Sequence, residues 1–379
     1  MSAADFTRVI FLLNSFGLGG SERKVVRIAT HLVGRGEHVG CAYMQLPDTL
    51  EPTLPAQVKR WFLDRRSRLS VAVLKALLRL SKHPDGVVLL AVNQYPALYA
   101  AVLRRIAPRR FPRVLCLMNT ATFERSRDFW FRPLYSWALR QMDLVVYGSE
   151  GQRALWDDPR NASWNRSRVL YNGVDRQRFN PHDFVASGLA LRESLKIPAK
   201  RFVFGSSGRL APEKNYLVLV EALAQLRQSN VDAQLLVVGD GPQRSALESL
   251  ARERGVAEFM SLIGQQDDVR PALAALDVFV LPSTNETFSN AALEAMSMAR
   301  PVILSRVGGA PEMVAEGVEG HLLEPDSLGT TLAPALATLA RSAERRAQLG
   351  RAAATRVASQ FSEEVMFQQY REMIEQGYC

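Results

Sequence analysis

The chain has 379 residues, 47% of them apolar and 22% charged, with a formal net charge of +9; this length and composition predict two globular domains and exclude disorder as the dominant state. Three scattered cysteines, Cys41, Cys116 and Cys379, suit neither a disulfide framework nor a zinc cluster and point to a reducing compartment. No N-terminal stretch combines a basic flank, an apolar core and a cleavage site, and no apolar run approaches the ~20 residues a bilayer needs, so the expectation is a cytoplasmic protein.

Arg8-Val9-Ile10-Phe11-Leu12-Leu13 is a short apolar run that meets Gly17, Gly19 and Gly20, the pattern of a buried parallel strand turning into a helix. Val25, Ile28, Ala29 and Leu32 recur behind it at helical spacing. Residues 37–44, 86–92, 113–118 and 144–147 read as further strands, and 69–82, 95–106 and 132–141 as helices. After Asn172-Gly173-Val174-Asp175 the chain turns polar, passes Pro181 and Pro198, and restarts at Phe202-Val203-Phe204-Gly205. That places a boundary near Asn180. Strands follow at 234–238, 260–263, 278–281 and 302–304, with helices near 215–228, 243–254, 268–276, 290–298 and 311–316. The tail, 332–373, is helical in pattern with no strand. Regular alternation predicts an α/β protein of two Rossmann-like, doubly wound parallel-sheet domains, 1–180 and 181–360, facing a cleft.

The charge is unevenly placed. Residues 1–180 hold 28 basic and 14 acidic groups, and the remainder 19 and 24. The excess suggests an anionic partner for the first half. Trp61, Trp130 and Trp137 show none of the regular aromatic and basic interleaving of a base-stacking surface, which argues for an anionic membrane and against nucleic acid. Over 69–82, basic residues alternate with Leu69, Val73, Leu74, Leu77, Leu78 and Leu80, the pattern of a basic amphipathic helix that either lies on anionic lipid or packs on the first sheet.

Three segments carry chemistry, each between a strand and a helix. Gly17-Leu18-Gly19-Gly20-Ser21-Glu22 lets backbone N–H groups approach a phosphate at a helix N-terminus. In Gly208-Arg209-Leu210-Ala211-Pro212-Glu213-Lys214-Asn215, Arg209 and Lys214 bracket a turn, an arginine fork and a lysine point charge suited to a diphosphate. In Pro282-Ser283-Thr284-Asn285-Glu286-Thr287-Phe288-Ser289-Asn290, backbone N–H groups at Phe288, Ser289 and Asn290 would cap an anion, and Glu294, about one turn on, could accept from sugar hydroxyls. No Asp-x-Asp pair occurs and the five histidines lack ligand spacing, so no metal is expected. No Walker lysine and no Gly-x-Ser-x-Gly elbow is present.

Together with Asn172-Gly173-Val174-Asp175, Gly239-x-Gly241-Pro242, Glu286 and Glu294, and Gly308-Gly309-Ala310-Pro311-Glu312, these motifs resemble, in order and spacing, the retaining glycosyltransferases of the GT-B fold, the "glycosyl transferases group 1" family. The resemblance spans nearly the whole chain. It implies a nucleoside-diphosphate sugar as substrate and no cofactor. Arg209 and Lys214 would hold the diphosphate, Glu286 would face the donor sugar and Glu294 would bind the ribose. Backbone at Phe288 and Ser289 would cap the phosphates, Gly19 and Gly20 would close over them from the first domain, and Gly264 would belong to the base-binding loop. The resemblance also implies that the terminal segment, 361–379, crosses back to the first domain as a helix. Two departures stand out: Thr287 occupies a position usually held by glycine, and Met118 one often held by histidine.

The expected activity is therefore metal-independent, retaining hexosyl transfer to an acceptor hydroxyl. The basic first half favours a lipid-linked glycan or lipopolysaccharide precursor as acceptor, with the protein peripheral at the inner face of the cell membrane. A non-hydrolysing nucleotide-sugar epimerase and a non-catalytic nucleotide-sugar-binding module are the rivals.

Overall fold

The computed structural model describes residues 7–17, 19–67, 70–119, 132–156 and 166–375. Leu18, Leu69, Trp130 and Cys379, named in the sequence analysis, lie outside them. The chain divides into unit 1, Met1–Tyr171 with Met366–Cys379, and unit 2, Asn172–Val365.

Unit 1 runs β1 (Val9–Leu13), α1 (Gly20–Gly34), β2 (Val39–Tyr43), β3 (Lys59–Phe62), α2 (Val71–Leu80), β4 (Val88–Val92), α3 (Gln94–Ile106), β5 (Arg113–Met118), α4 (Arg132–Arg140), β6 (Leu144–Tyr147), α5 (Glu150–Trp156) and β7 (Ser167–Val169). The strands form one parallel sheet in the order β3-β2-β1-β4-β5-β6-β7. Successive β1 side chains alternate between two apolar cores. Ile10 and Leu12 join a core with residues of α2, α3 and α4, and Val9, Phe11 and Leu13 one with α1. The second core also takes Met366, Tyr370, Met373 and Ile374 from the terminal helix, and Arg113 Nη1 donates to Ile374 O at 2.8 Å.

The apolar face of the 69–82 segment is used for folding. Val73 and Leu77 are fully buried, and Leu74, Leu78 and Leu80 pack on the same core. This corrects the lipid-facing reading of that face: covering the sheet consumes the stripe that a membrane would need. Lys75, Arg79 and Lys82 remain exposed.

Unit 2 runs α6 (Val185–Ser194), β8 (Phe202–Ser207), α7 (Leu217–Gln228), β9 (Ala233–Val238), α8 (Arg244–Glu253), β10 (Met260–Leu262), α9 (Arg270–Ala275), β11 (Val278–Leu281), α10 (Asn290–Ser297), β12 (Val302–Ser305), α11 (Ala310–Met313), β13 (Gly320–Leu323), α12 (Leu328–Ala340) and α13 (Ala343–Gln360), and α14 (Glu363–Glu375) leads into unit 1. Its sheet is parallel too, ordered β10-β9-β8-β11-β12-β13.

The expected boundary near Asn180 falls inside unit 2. Residues 172–180 are fastened to it by the Asn172 Nδ2 bond to Phe288 O at 3.0 Å and by the bridge between Val174 and Ser362. Three strands escaped the sequence reading: β3, β7 and β13. Each lies at a sheet edge. β3, Lys-Arg-Trp-Phe, is largely exposed, and an edge strand needs no continuous apolar run.

Candidate active site

The order of the unit 2 sheet reverses between β8 and β11, which pair directly through Val278 with Phe204 and Phe279 with Gly205. Ligands of doubly wound sheets bind beyond the carboxyl ends of the strands at such a point. The loops that leave these two strands hold Arg209, Lys214 and Glu286.

Thr284 N donates to Glu213 O at 2.9 Å and joins the two loops. Lys214 Nζ donates to Glu286 Oε2 at 2.6 Å, and the side chains are 22% and 20% exposed. Ser283, buried at the end of β11, places Oγ 3.4 Å from the same carboxylate oxygen. Asn215 takes a left-handed φ of 53° at the end of a short 3₁₀ turn, a conformation asparagine tolerates well. Arg209 is exposed.

A third loop holds the Glu286 backbone. Gly308 has φ 53°, and a Cβ there would overlap Glu286 O. Gly309 N donates to Thr287 O at 2.8 Å. Thr287 has a negative φ, so a non-glycine residue fits at that position without left-handed strain.

Ser289 caps α10, its Oγ accepting from Ala292 N at 3.3 Å. The Phe288 ring is buried, edge-on to Phe361 at 5.3 Å between centroids, which leaves only its backbone to act toward a ligand. Glu294 stands half-buried on the same helix. Gly264 O accepts from Gly239 N at 2.8 Å, and Gly239 packs so closely on Gly208 O that a Cβ has no room. The 264 turn and the Arg209 loop thus meet through Gly239. In the adjoining segment, Asp268 is engaged by Arg270, Nε to Oδ1 2.7 Å, and that pairing holds its carboxyl below the usual range.

In unit 1, Gly20 opens α1 and the exposed Gly19 caps it without a side-chain bond. The Glu22 carboxylate folds back over Gly19, and burial raises its pKa. Met118 sits inside the core with its Sδ 3.5 Å from Cys116 Sγ, so it offers no polar group at the position where the resemblance led to an expectation of histidine.

Tyr216, Asn172, Ser283 and Gly308 were not assigned roles from sequence. Tyr216 is buried beneath Gly208. Burial, reinforced by the Glu286 charge and opposed by Ser206, pushes its hydroxyl up to about 12. Three of them lie in segments the sequence singled out: Asn172 in Asn172-Gly173-Val174-Asp175, Ser283 in the 282–290 segment and Gly308 in the glycine pair at 308 and 309. Among the described residues, no group of three or more His, Cys, Asp or Glu side chains could hold a metal ion.

The Glycosyltransferase Family 4 model matches residues 18–178 and the Glycosyl transferases group 1 model residues 201–342. The chain is 32% identical over 275 residues to "Lipopolysaccharide core biosynthesis glycosyltransferase LpsE" of Rhizobium meliloti, covering 72% of this chain and 75% of that one. It is 34% identical over 221 residues to "D-inositol 3-phosphate glycosyltransferase" of Stackebrandtia nassauensis, covering 55% of this chain but only 48%, about half, of that relative's length. The crystal structure of Anabaena Alr3699/HepE in complex with UDP superposes with a TM-score of 0.84 at 22% identity, covering 98% of this chain and 100% of that one, a likeness of fold. With one model on each half and a relative matched over most of both chains, this chain belongs to the glycosyl transferases group 1 family and has its GT-B fold.

Proposed function

We propose that this chain transfers a hexosyl group from a nucleoside-diphosphate sugar to an acceptor hydroxyl, with retention at the anomeric carbon and without a metal. The observation that carries the reading is the Lys214–Glu286 pair, 2.6 Å apart at the switch point of the unit 2 sheet, with Glu286 on the loop that runs into the Ser289-capped helix α10. A cation, a carboxylate and a helix N-terminus converge on one edge of the sheet, as a sugar diphosphate requires.

Arg209 and Lys214 bind the diphosphate, and the α10 N–H groups near Ser289 cap it. Gly19 and Gly20 offer the first N–H groups of α1 to a phosphate. Glu286 faces the sugar, Glu294 the ribose and Gly264 the base. As the bond from C1 to the phosphate oxygen breaks, negative charge grows on the leaving diphosphate. The preorganised cations favour that state over the ground state, and loss of one such contact costs about 2.7–4 kcal/mol of barrier. The acceptor oxygen bonds to C1 on the face the diphosphate leaves, and its proton passes to the leaving phosphate oxygen. No side-chain base is required.

The acceptor is a lipid-linked glycan or lipopolysaccharide precursor at the cytoplasmic face of a membrane. The name of the Rhizobium relative and the basic excess of residues 1–180 support this choice. The test is incubation of uridine, guanosine and adenosine diphosphate sugars with such acceptors in excess chelator, followed by NMR of the product anomer. Transfer with retention is expected. An epimer formed from donor alone would establish the epimerase instead, and nucleotide binding without turnover the non-catalytic module.

A further inference from the structure

A second cationic site lies in unit 1, away from the glycine turn. An open depression of about 590 Å³ is lined by Leu78, Arg79, Ser81, Lys82, His83, Pro84, Arg109 and Arg110. Its residues come from the end of α2 and from the two loops that precede β4 and β5, so it sits at the amino-terminal edge of the parallel sheet. The Gly19-Gly20 turn follows β1 at the carboxyl edge. Strands of five residues separate the edges by at least about 15 Å.

The walls are built together. Val87 N donates to Arg110 O at 2.8 Å, and Arg104 Nη1 donates to Phe111 O at 2.9 Å and Pro112 O at 2.6 Å. Gly86, with φ 79°, is pressed against Pro112 and the Arg109 backbone, where a Cβ would not fit. The loops carrying Lys82 and Arg109 are thereby held side by side.

Some arginines of unit 1 are paired with acids, Arg60 with Glu51 at 3.2 Å and Arg104 with Asp143 at 3.1 Å. At the depression, Arg79, Lys82 and Arg109 make no ion pair among the described residues. Asp85 is the nearby acid, and it lies against His83, Oδ2 to Nδ1 3.9 Å. Capping of α2 does not account for the excess. Leu77 O accepts from Ser81 N at 3.2 Å, and Leu78 O from Ser81 Oγ at 2.9 Å and Arg110 Nη1 at 3.2 Å. Arg79, Lys82 and Arg109 are left as like charges around one space, an arrangement whose mutual repulsion an anion would relieve.

We infer that this depression is a binding site for a phosphate-bearing ligand, separate from the nucleotide-sugar site. Two arginines offer forked N–H pairs that match phosphate oxygens, and Lys82 adds a point charge. The volume exceeds that of one inorganic phosphate and admits a phosphorylated headgroup or a small phosphorylated metabolite. The inference does not depend on glycosyl transfer.

The test uses the full chain carrying Lys214→Ala, so that the proposed diphosphate site contributes little. Into it are introduced Arg79→Ser, Lys82→Ser and Arg109→Ser together. A control carries Arg35→Ser, Arg166→Ser and Arg168→Ser, which remove the same charge from exposed positions outside the depression. Inorganic pyrophosphate binding is measured by calorimetry, and binding to phosphatidylcholine vesicles with and without phosphatidylglycerol by sedimentation, both at low salt, with circular dichroism checking the fold. The parent is expected to bind at least one anionic probe, with affinity falling at least about tenfold in the 79/82/109 variant and little in the control. Saturable pyrophosphate binding identifies a soluble phosphorylated ligand, and vesicle binding alone a lipid headgroup. Binding of neither probe by the parent, or equal loss in variant and control, overturns the inference. Donor turnover with Lys214 restored is a separate readout, and it is expected to be unchanged by the three substitutions when measured as hydrolysis.

Discussion

Lys214 Nζ and Glu286 Oε2 lie 2.6 Å apart, although their residues are 72 positions apart in the chain. Each stands on a loop beyond one of two paired strands, and the pair is four-fifths removed from solvent. Lys214→Ala and Arg209→Ala are expected to lower kcat about 10²–10³-fold, because each removes a donor proposed to meet the charge that grows on the leaving diphosphate. Glu286→Gln keeps the shape and removes the lysine's counter-charge. Its effect and that of Lys214→Ala should combine to less than their product, since each disables the same contact. Initial rates of nucleoside-diphosphate release measure this. Near-normal rates in either cation variant would remove the diphosphate assignment.

Glu294 is half-buried on α10, beyond the turn proposed to cap the diphosphate. Glu294→Ala is expected to weaken free nucleoside diphosphate by about tenfold, the loss of one charge-assisted hydrogen bond or slightly less. Calorimetry with the free nucleotide reads this directly. An unchanged Kd would count against a ribose contact.

Gly308→Ala should damage the site from behind. The substitution asks alanine to adopt φ 53° and drives a Cβ into Glu286 O. The left-handed strain alone costs about 1–2 kcal/mol, and the overlap must be relieved by moving the 286–287 backbone. A lower Tm together with a fall in kcat is expected. A variant with normal melting and normal turnover would show that the β12–α11 loop does not position Glu286.

Lys24, on α1, is almost fully buried with its Nζ 5.3 Å from the centre of the Tyr370 ring. Burial, aided by the Arg27 charge, lowers its pKa to about 7 from the ordinary 10.5. The ring face works the other way, favouring the ammonium. Between about pH 7 and 10.5 the unfolded chain holds a proton that the folded chain releases, so this residue makes stability rise with pH across that window. Below pH 7 both states are protonated and the full cost of burying the charge is present. Lys24→Met should therefore stabilise the protein most near pH 6, by about 1–3 kcal/mol, with the advantage fading toward pH 10. Denaturant titrations of both proteins at the two pH values test it; an advantage that grows with pH would contradict it.

Local pattern carried much of this. The apolar runs of β1, β4, β5, β8, β9 and β11 announced central strands, because a strand buried on both faces is built mostly of apolar side chains. The glycine turns and the loops with Arg209, Lys214 and Glu286 were legible because each falls between such a strand and a helical pattern. β3, β7 and β13 were not, since edge strands are held by backbone pairing to one neighbour. The 69–82 segment shows the limit of periodicity: a basic amphipathic stripe has the same pattern on lipid as on a sheet, and only its contact with the unit 1 core assigned the apolar face.

The sequence by itself determined two α/β sheets, the strand-to-helix turns that bear the charged groups, and the concentration of positive charge in the first half. Tertiary structure alone decided that β8 pairs with β11, which brings Lys214 to Glu286 and sets Gly308 under the Glu286 carbonyl. It also gathered Arg79, Lys82 and Arg109 around one depression. The reason is physical: an element's local pattern states which face must be buried, whereas strand order and loop packing depend on contacts between residues far apart in the chain.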